Sequence, residues 1–234
     1  MQNNIKGSKK QDKQIEVRKV ARTFYDSSAY SFSQTRNYCW DDLNFIKEHI
    51  KNQDKILDFG CGNGRLSELF EGKDYEYVGV DISNELLKIA RKKYPDKEFI
   101  LIDKENELLF EDGSFDKIFS VAVFHHFNPE MTKQALKELR RILKKDGILI
   151  LTVWYLWSTK YKKNLLENFS KGKFDLMTKL TFKNSKKTYY RPCYWWRKGR
   201  LEKIIRKSGF KISEGGFTFS REGEKRNLYM ICKK

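Results

Sequence analysis

The chain lacks the sequence features of membrane, disulfide-bonded and zinc-binding proteins. No apolar run reaches the roughly 20 residues that a membrane-spanning helix needs, and no hydrophobic segment lies near the polar, Lys-rich N-terminus. The 4 cysteines, Cys39, Cys61, Cys193 and Cys232, form no C-x-x-C pair, which argues against zinc and against a disulfide framework. We therefore expect a single soluble, cytoplasmic domain over residues 1–234, with reduced thiols, no metal site and no membrane partner.

Positive charge is abundant but unevenly distributed. The 234 residues carry a net charge of +17, and 39% of them are hydrophobic, enough to bury a core. Residues 160–207 contain 16 Lys and Arg against 3 Asp and Glu, and residues 1–22 contain 7 against 2. Because basic segments with interleaved aromatics suit a polyanion with stackable bases, we predict a flexible basic arm over 1–22 and a basic aromatic insertion over 155–197 that binds substrate. A solvated Lys-rich surface is the alternative interpretation.

A glycine-rich turn is the most informative local feature. The segment ILDFGCGNG, residues 56–64, is an apolar run that ends in three alternating glycines, as expected for a strand that breaks into a ligand-binding turn. Glycines at Gly60, Gly62 and Gly64 allow the backbone to approach a ligand without interference from a Cβ atom. The next strand, YVGVD, ends in Asp81, whose carboxylate can accept hydrogen bonds from both hydroxyls of a ribose. Together these features predict a nucleoside ligand.

Strand and helix patterns alternate along most of the chain. Apolar runs predict strands over 55–59, 77–80, 98–102, 117–123 and 148–153, and helical periodicity predicts helices over 84–93 and 131–144. A turn at Asp146 and Gly147 is expected after the second helix, and a helix over 199–208 with strands near 210–212 and 228–232 completes the pattern. This order predicts an α/β, doubly wound, mostly parallel sheet with ligands at the carboxyl ends of its strands.

The glycine spacing identifies the nucleoside. A dinucleotide motif, G-x-G-x-x-G, would place its third glycine at Arg65, one residue later than this chain does. The G-x-G-x-G spacing, preceded by Asp58, resembles motif I of the class I S-adenosylmethionine (AdoMet) methyltransferases. That resemblance implies a Rossmann-like sheet of seven strands, the last antiparallel, and AdoMet as cofactor. It assigns the cofactor-binding positions to Asp58, Gly60, Cys61, Gly62, Asn63, Gly64, Asp81, Ile82, Asp103 and Val121, with Asp103 at the adenine edge.

A second informative segment, SVAVFHHF, ends the fourth predicted strand with two adjacent imidazoles. The chain has 3 histidines in all, so the pair His125 and His126 is notable. Neighbouring side chains on an extended run point to opposite faces, and we therefore expect one histidine to be functional and the other structural.

Three segments together resemble the tRNA wobble-uridine carboxymethyl methyltransferases, including the methyltransferase domain of the AlkB-type tRNA hydroxylase. The first is SVAVFHHF, preceded by EDGSFD; the second is YSFSQTR at residues 30–36, followed by Trp40; the third is RPCYWWRKGRLE at residues 191–202. The similarity runs from about residue 20 to the end of the chain. Pro192, Cys193 and Tyr194 depart from the Tyr-Tyr-His of the family pattern.

That second resemblance implies a site and a set of partners. It places the catalytic residues Arg36, His125 or His126, and Arg191 around the methyl acceptor, and it implies the tRNA anticodon stem-loop as partner. It also suggests a small zinc-containing activator subunit, although whether this chain needs one stays open. For substrate binding we expect the stacking residues Tyr155, Tyr189 and Tyr190 and the cations Lys186 and Lys187.

The chemistry of the acceptor leaves alternatives open. A carboxylate is already a nucleophile at neutral pH, so its methylation needs alignment, which two arginines provide, and no general base. An amine or hydroxyl acceptor would instead need a base, a role that either histidine can take. The resemblance to the wobble-uridine enzymes makes methyl transfer to carboxymethyluridine the leading hypothesis. The alternatives are an AdoMet-dependent methyltransferase of a small acid, amine or quinone-like acceptor, and a non-catalytic RNA-binding relative.

Overall fold

The computed structural model describes residues 2–36, 39–157, 166, 175–181 and 188–234. Within these residues, the α-helices with defined bounds are α1 (Gln2–Gln34), α2 (Asn84–Lys93), α3 (Pro129–Ile142) and α4 (Lys198–Lys207), and 3₁₀ helices span Asp41–His49, Arg65–Phe70 and Phe124–His126. The strands are β1 (Asp54–Phe59), β2 (Tyr75–Asp81), β3 (Glu98–Leu101), β4 (Phe115–Val121), β5 (Leu143–Trp154), β6 (Asp175–Thr181), β7 (Thr188–Tyr194), β8 (Lys211–Phe219) and β9 (Lys225–Lys233).

Seven of these strands form one twisted, mixed sheet in the order β3–β2–β1–β4–β5–β9–β8. Strands β1 to β5 pair with one another in parallel, whereas β9 pairs antiparallel with both β5 and β8. The predicted fold class is thereby confirmed, including the antiparallel last strand. The strand order changes direction between β1 and β4. Ligands bind at such a switch point in folds of this type.

The central strands are buried on both faces, as their continuous apolar sequence predicts. Side chains of β1 and β4 are almost inaccessible, among them Ile56, Leu57, Ile118 and Phe119. The helices that cover them begin at clear caps. Ser83 Oγ accepts from the amide of Leu86 at the start of α2, and Asn128 caps α3 directly before its first residue, Pro129. These caps fix where the loops at the carboxyl edge of the sheet end.

The predicted boundary between α3 and β5 is wrong by two residues. Periodicity extended the helix to Lys144, but α3 ends at Ile142 and β5 begins at Leu143. The reason is pairing in the sheet, because Leu143 is fully buried and lies opposite Phe115 of β4. The turn expected at Asp146 is an irregularity inside the strand. Asp146 has a left-handed φ of 65°, and the pairing register with β4 shifts between Phe115 and Lys117.

The two predicted basic segments are far apart in sequence, but the helix and strand that include parts of them, α1 and β7, contact each other in the structure. Residues 2–22 of the predicted arm belong to α1, which packs against α2 and β7. The predicted insertion contains an antiparallel pair of strands, β6 and β7, while Lys186 and Lys187 lie outside the described residues. The limits of the domain, arm and insertion stay predictions. Among the described helices, none is long and apolar enough to cross a bilayer.

Candidate active site

A deep cavity opens at the carboxyl edge of the sheet. Its volume is about 1160 Å³ when the open space at its mouth is included. The floor is formed by the ends of β1, β2 and β4, and α1 covers one side with Val17, Arg18, Ala21 and Tyr25. The cavity therefore lies at the switch point that the strand order predicts.

The glycine turn that follows β1 lines this cavity. Gly60, Gly62 and Gly64 have φ values of 80°, 56° and 76°, in the left-handed region that L side chains rarely adopt. A Cβ atom on Gly60 would lie 2.3 Å from Cγ2 of Val123, whereas one on Gly62 would meet only Cδ1 of Leu86, at 3.9 Å. The turn thus packs tightly against the β4 loop at Gly60 and leaves space for a ligand over Gly62.

Asp81 fixes the glycine turn while facing the cavity. Its Oδ2 accepts from the amide of Gly62 at 2.8 Å, and its Oδ1 accepts from the amide of Ser83 at 2.8 Å. Burial raises the pKa of the Asp81 carboxyl to about 6, although these amides act in the opposite direction. A carboxylate held by two amides keeps lone pairs for further donors, which suits the hydroxyls of a ribose.

Asp58 lies behind the turn, at the end of β1. Its Oδ2 accepts from the phenol of Tyr77 at 2.7 Å, and burial raises the pKa of this carboxyl to about 7. It also lines the cavity, so a cationic group of a ligand would stabilise its charged form.

The end of β3 differs from the expectation for the adenine edge. The Asp103 side chain is 82% exposed and pairs with Arg22 of α1 at 2.8 Å. Its neighbours Ile102 and Glu105 line the cavity. Glu105 is buried and accepts two hydrogen bonds of 2.6 Å from Arg18, which joins α1 to this wall. The contact of Asp103 with a cofactor stays a prediction.

A hydrogen-bonded group of three side chains lies across the cavity from the glycine turn. Arg191 of β7 is 2% exposed, and its guanidinium lies 4.0 Å from the centre of the Trp154 ring. Arg191 Nη1 donates to the phenol oxygen of Tyr25 at 3.1 Å, and that oxygen is 2.8 Å from Nε2 of His126. Cation, phenol and imidazole thus meet at one point of the cavity wall, although they lie far apart in sequence.

His125 occupies a different environment from His126. Both lie on the 3₁₀ helix Phe124–His126 and are buried, so the expectation of opposite faces on an extended run is wrong. His125 stacks on Trp154 with ring centroids 4.5 Å apart, and within the described structure neither of its ring nitrogens has a hydrogen-bond partner. Burial, with contributions from His126 and Arg191, lowers the pKa of His125 well below its ordinary value. His125 is therefore neutral near pH 7.

Three buried side chains in this region could offer ligand atoms to a metal. They are His125, His126 and Cys193, whose ligand atoms lie within 4.8 Å of one another. The positive charge of Arg191 acts on the same group and opposes the binding of a cation. The expectation that the chain has no metal site stays a prediction.

The remaining predicted residues fall in several places. Arg36 lines the cavity, where it donates to Oγ1 of Thr35 at 2.9 Å, and its carbonyl accepts from the side-chain amide of Asn63. Tyr155 packs edge to face against Phe217, away from the residues that line the cavity. The cavity lining includes Cys61, Ile82 and Val121. Strand β7 contains Tyr189 and Tyr190.

Sequence reasoning missed two partly buried residues of the cavity wall, Tyr25 and Arg65. Tyr25 lies in the middle of α1, where no local motif marks it, and only the packing of α1 on β7 brings it to Arg191. Arg65 was visible in the sequence as the residue that occupies the place of a third glycine. Its position beside a cofactor turn was a usable signal, because a buried guanidinium is uncommon unless something pairs with it.

The residues of the turn fit AdoMet. Open space over Gly62, the free lone pairs of Asp81 and the carboxyl of Asp58 match a ribose and the ammonium group of an amino-acid tail. This fold and site define a class I AdoMet-dependent methyltransferase. A family model described as a methyltransferase domain matches residues 57–151, the segment from β1 to β5.

Relatives lead to the same assignment. A putative methyltransferase of Encephalitozoon cuniculi is 32% identical over 213 residues, which cover 90% of this chain and 93% of the relative. The tRNA (carboxymethyluridine(34)-5-O)-methyltransferase of Arabidopsis thaliana is 36% identical over 148 residues, 63% of this chain and 35% of that protein. A crystal structure of a SAM-dependent methyltransferase of Methanosarcina mazei shares the fold, with a TM-score of 0.69, 23% identity and coverage of 84% of this chain and 98% of that one. The chain belongs to this family of AdoMet-dependent methyltransferases.

Proposed function

We propose that this methyltransferase esterifies the carboxylate of carboxymethyluridine at the wobble position of tRNA. The observation that carries the proposal is the hydrogen-bonded group of Arg191, Tyr25 and His126 in the cavity wall, of which Arg191 and His126 are buried. A guanidinium that is almost inaccessible to water and lies over an indole ring favours an anionic ligand at its side.

The hydrogen bonds of Tyr25 determine which protons this group can offer. A guanidinium can only donate, so the phenol oxygen accepts from Arg191. The phenol proton can then be donated to Nε2 of His126, which lies 2.8 Å away, when the neutral imidazole carries its own proton on Nδ1. We assign this tautomer to the resting site, in which Nε2 is an acceptor.

This proton arrangement disfavours acceptors that need a general base. An amine or hydroxyl must lose a proton on methylation, but Nε2 of His126 is already occupied and the lowered pKa of His125 makes it a weak base. A carboxylate, by contrast, is deprotonated at neutral pH and needs only to be held in line. The group offers donors for that purpose and no strong base.

The roles of the other residues follow from their positions. Bound AdoMet would supply an electrophilic methyl group on its sulfonium, with the thioether S-adenosylhomocysteine as the leaving group. Asp81 orients the ribose, the turn over Gly62 gives the backbone close approach, and α1 excludes water from the cavity through Val17 and Ala21. Arg36 lines the same cavity and adds a second positive charge near the acceptor.

The choice of tRNA as substrate rests on the relatives and on charge. The Arabidopsis relative acts, by its name, on carboxymethyluridine 34 of tRNA, and the segments 1–22 and 160–207 give this chain its excess positive charge. Tyr155, Tyr189, Tyr190, Lys186 and Lys187 are proposed to contact the anticodon stem-loop. A requirement for a zinc-containing activator subunit and a cytoplasmic location belong to the same proposal.

The experiment is methyl transfer from labelled AdoMet to tRNA that carries carboxymethyluridine, with unmodified tRNA as control and nucleoside mass spectrometry as readout. The proposal predicts a methyl ester on the modified tRNA alone. Transfer to a small acid or amine, with none to either tRNA even after an activator subunit is added, would contradict it and favour the small-molecule alternative.

A further inference from the structure

Arg65 is a partly buried cation in the cofactor half of the cavity. It follows Gly64 directly, begins the 3₁₀ helix Arg65–Phe70 and lines the cavity. Its guanidinium carbon lies 4.3 Å from the centre of the Trp40 ring. Within the described structure, its Nη1 is inaccessible and has no hydrogen-bond partner.

Such a group needs a partner. A buried donor that makes no hydrogen bond loses its solvation without compensation, and a guanidinium is charged at every physiological pH. Burial lowers the pKa of Arg65 from its ordinary value, which shows that its surroundings disfavour the charge. The carboxylates of Asp58 and Glu68 attract this charge electrostatically. Both carboxylates have other hydrogen-bond partners, because Asp58 Oδ2 accepts from Tyr77, and Glu68 accepts from Lys93 and Tyr94.

The cavity wall around Arg65 matches one part of the cofactor. The methionine tail of AdoMet carries an ammonium and a carboxylate on the same carbon, so its site needs one negative and one positive group close together. Asp58 and Arg65 supply that pair at the end of β1 and the start of the following helix. We propose that Arg65 binds the carboxylate of the methionine tail and thereby selects AdoMet against nucleosides that lack it.

This assignment concerns the cofactor and is independent of the methyl acceptor. It gives Arg65 a binding role, with Trp40 holding the guanidinium in position from the other side. It also separates Arg65 from Arg36, the second arginine of the cavity, whose guanidinium lies over Phe32 at 4.2 Å.

The experiment compares two ligands that differ in the carboxylate alone. Affinities of AdoMet and decarboxylated AdoMet are measured by calorimetry for the native chain and for Arg65→Met. We expect the substitution to weaken AdoMet binding about 10- to 100-fold and to change the affinity for decarboxylated AdoMet about twofold or less. The ratio of the two affinities is the quantity that a purely structural role would leave unchanged.

Two further variants and a stability measurement separate a binding role of Arg65 from a structural one. Arg36→Gln is the matched control and should affect both ligands equally, while Arg65→Lys retains the charge and should recover part of the discrimination. The thermal midpoint of ligand-free Arg65→Met should not fall, because the substitution removes an unsatisfied buried donor. Equal weakening of both ligands, unchanged AdoMet affinity, or loss of discrimination in Arg36→Gln in place of the Arg65 variants would overturn the proposal.

Discussion

At the residue scale, local sequence features predict the strand ends and the turn beside the cavity, but they do not predict contacts between distant residues. Glycine spacing and a carboxylate at a strand end are local features, and the structure joins Gly62 and Asp81 by a hydrogen bond, while their contact with a cofactor stays a prediction. The partners of Arg191 could not be identified in this way. Tyr25 lies 166 residues from Arg191, and only the tertiary structure determines that their side chains meet.

The pKa values of the buried carboxyls predict how cofactor binding depends on pH. Asp81 must be ionised to accept hydrogen bonds from a ribose, and its pKa is raised to about 6. AdoMet affinity should therefore fall as the pH is lowered from 7.5 to 5, by roughly tenfold for each pH unit below 6 for this single group. Asp58, with a pKa of about 7, should add to the loss, because only its charged form attracts the ammonium group of the tail.

Calorimetry between pH 5 and pH 8 tests this dependence. Asp81→Asn should bind AdoMet weakly with a flatter pH profile, and the exposed substitution Glu71→Gln should behave like the native chain. The stability of the ligand-free chain should change with pH in the opposite direction to the AdoMet affinity. Because the folded pKa values of Asp58 and Asp81 exceed their unfolded values, these groups stabilise the fold at low pH, and that contribution is lost as the pH rises through 6 and 7. A pH-independent AdoMet affinity would contradict the assigned role of Asp81.

At the scale of elements, strands were easier to predict than the segments that cover them. Continuous apolar runs located β1, β2 and β4 because these strands are buried on both faces. Helix α1 has no clear apolar stripe, so its docking over the cavity could not be predicted. The pairing of β6 with β7 inside the basic insertion was missed for a related reason, since the apolar signal there is interrupted by lysines.

The docking of α1 should depend on one ion pair. Arg18 donates two hydrogen bonds to Glu105, whose side chain is 4% exposed. Arg18→Met would leave a buried carboxylate without its cation and should lower the free energy of unfolding by about 2 to 3 kcal/mol. Urea denaturation measures this change, with the exposed substitution Lys19→Met as the control.

A double variant distinguishes an ion-pair effect from loss of packing. Arg18→Met combined with Glu105→Leu removes both charges, and its stability should return most of the way to that of the native chain. An additive loss in the double variant would show that the apolar contacts of Arg18, and not the pairing of charges, hold α1 on the cavity.

At the scale of the whole molecule, the uneven distribution of positive charge predicts how salt affects tRNA affinity. If tRNA binds as proposed, this chain with a net charge of +17 should lose tRNA affinity by about 10- to 1000-fold between roughly 50 and 200 mM KCl. Its affinity for AdoMet should change little, because AdoMet has no phosphates whose counterions binding would release. Filter binding measures the first quantity and calorimetry the second.

The double reversal Lys186→Glu and Lys187→Glu localises that effect. It should weaken tRNA affinity and flatten its salt dependence while leaving the AdoMet affinity unchanged. An unchanged tRNA affinity would exclude the basic insertion as the RNA contact and leave the segment at 1–22 as the remaining concentration of positive charge.

The most direct test of an anion-binding acceptor site compares two anticodon stem-loops under single-turnover conditions. One carries carboxymethyluridine at the wobble position, and the other carries the neutral carbamoylmethyl analogue of the same shape. The account predicts methyl transfer to the first alone, at a rate that changes little between pH 6.5 and pH 8.5, because the acceptor needs no base. Equal transfer to both stem-loops, or a rate that rises with pH as a histidine or an amine loses its proton, would contradict it.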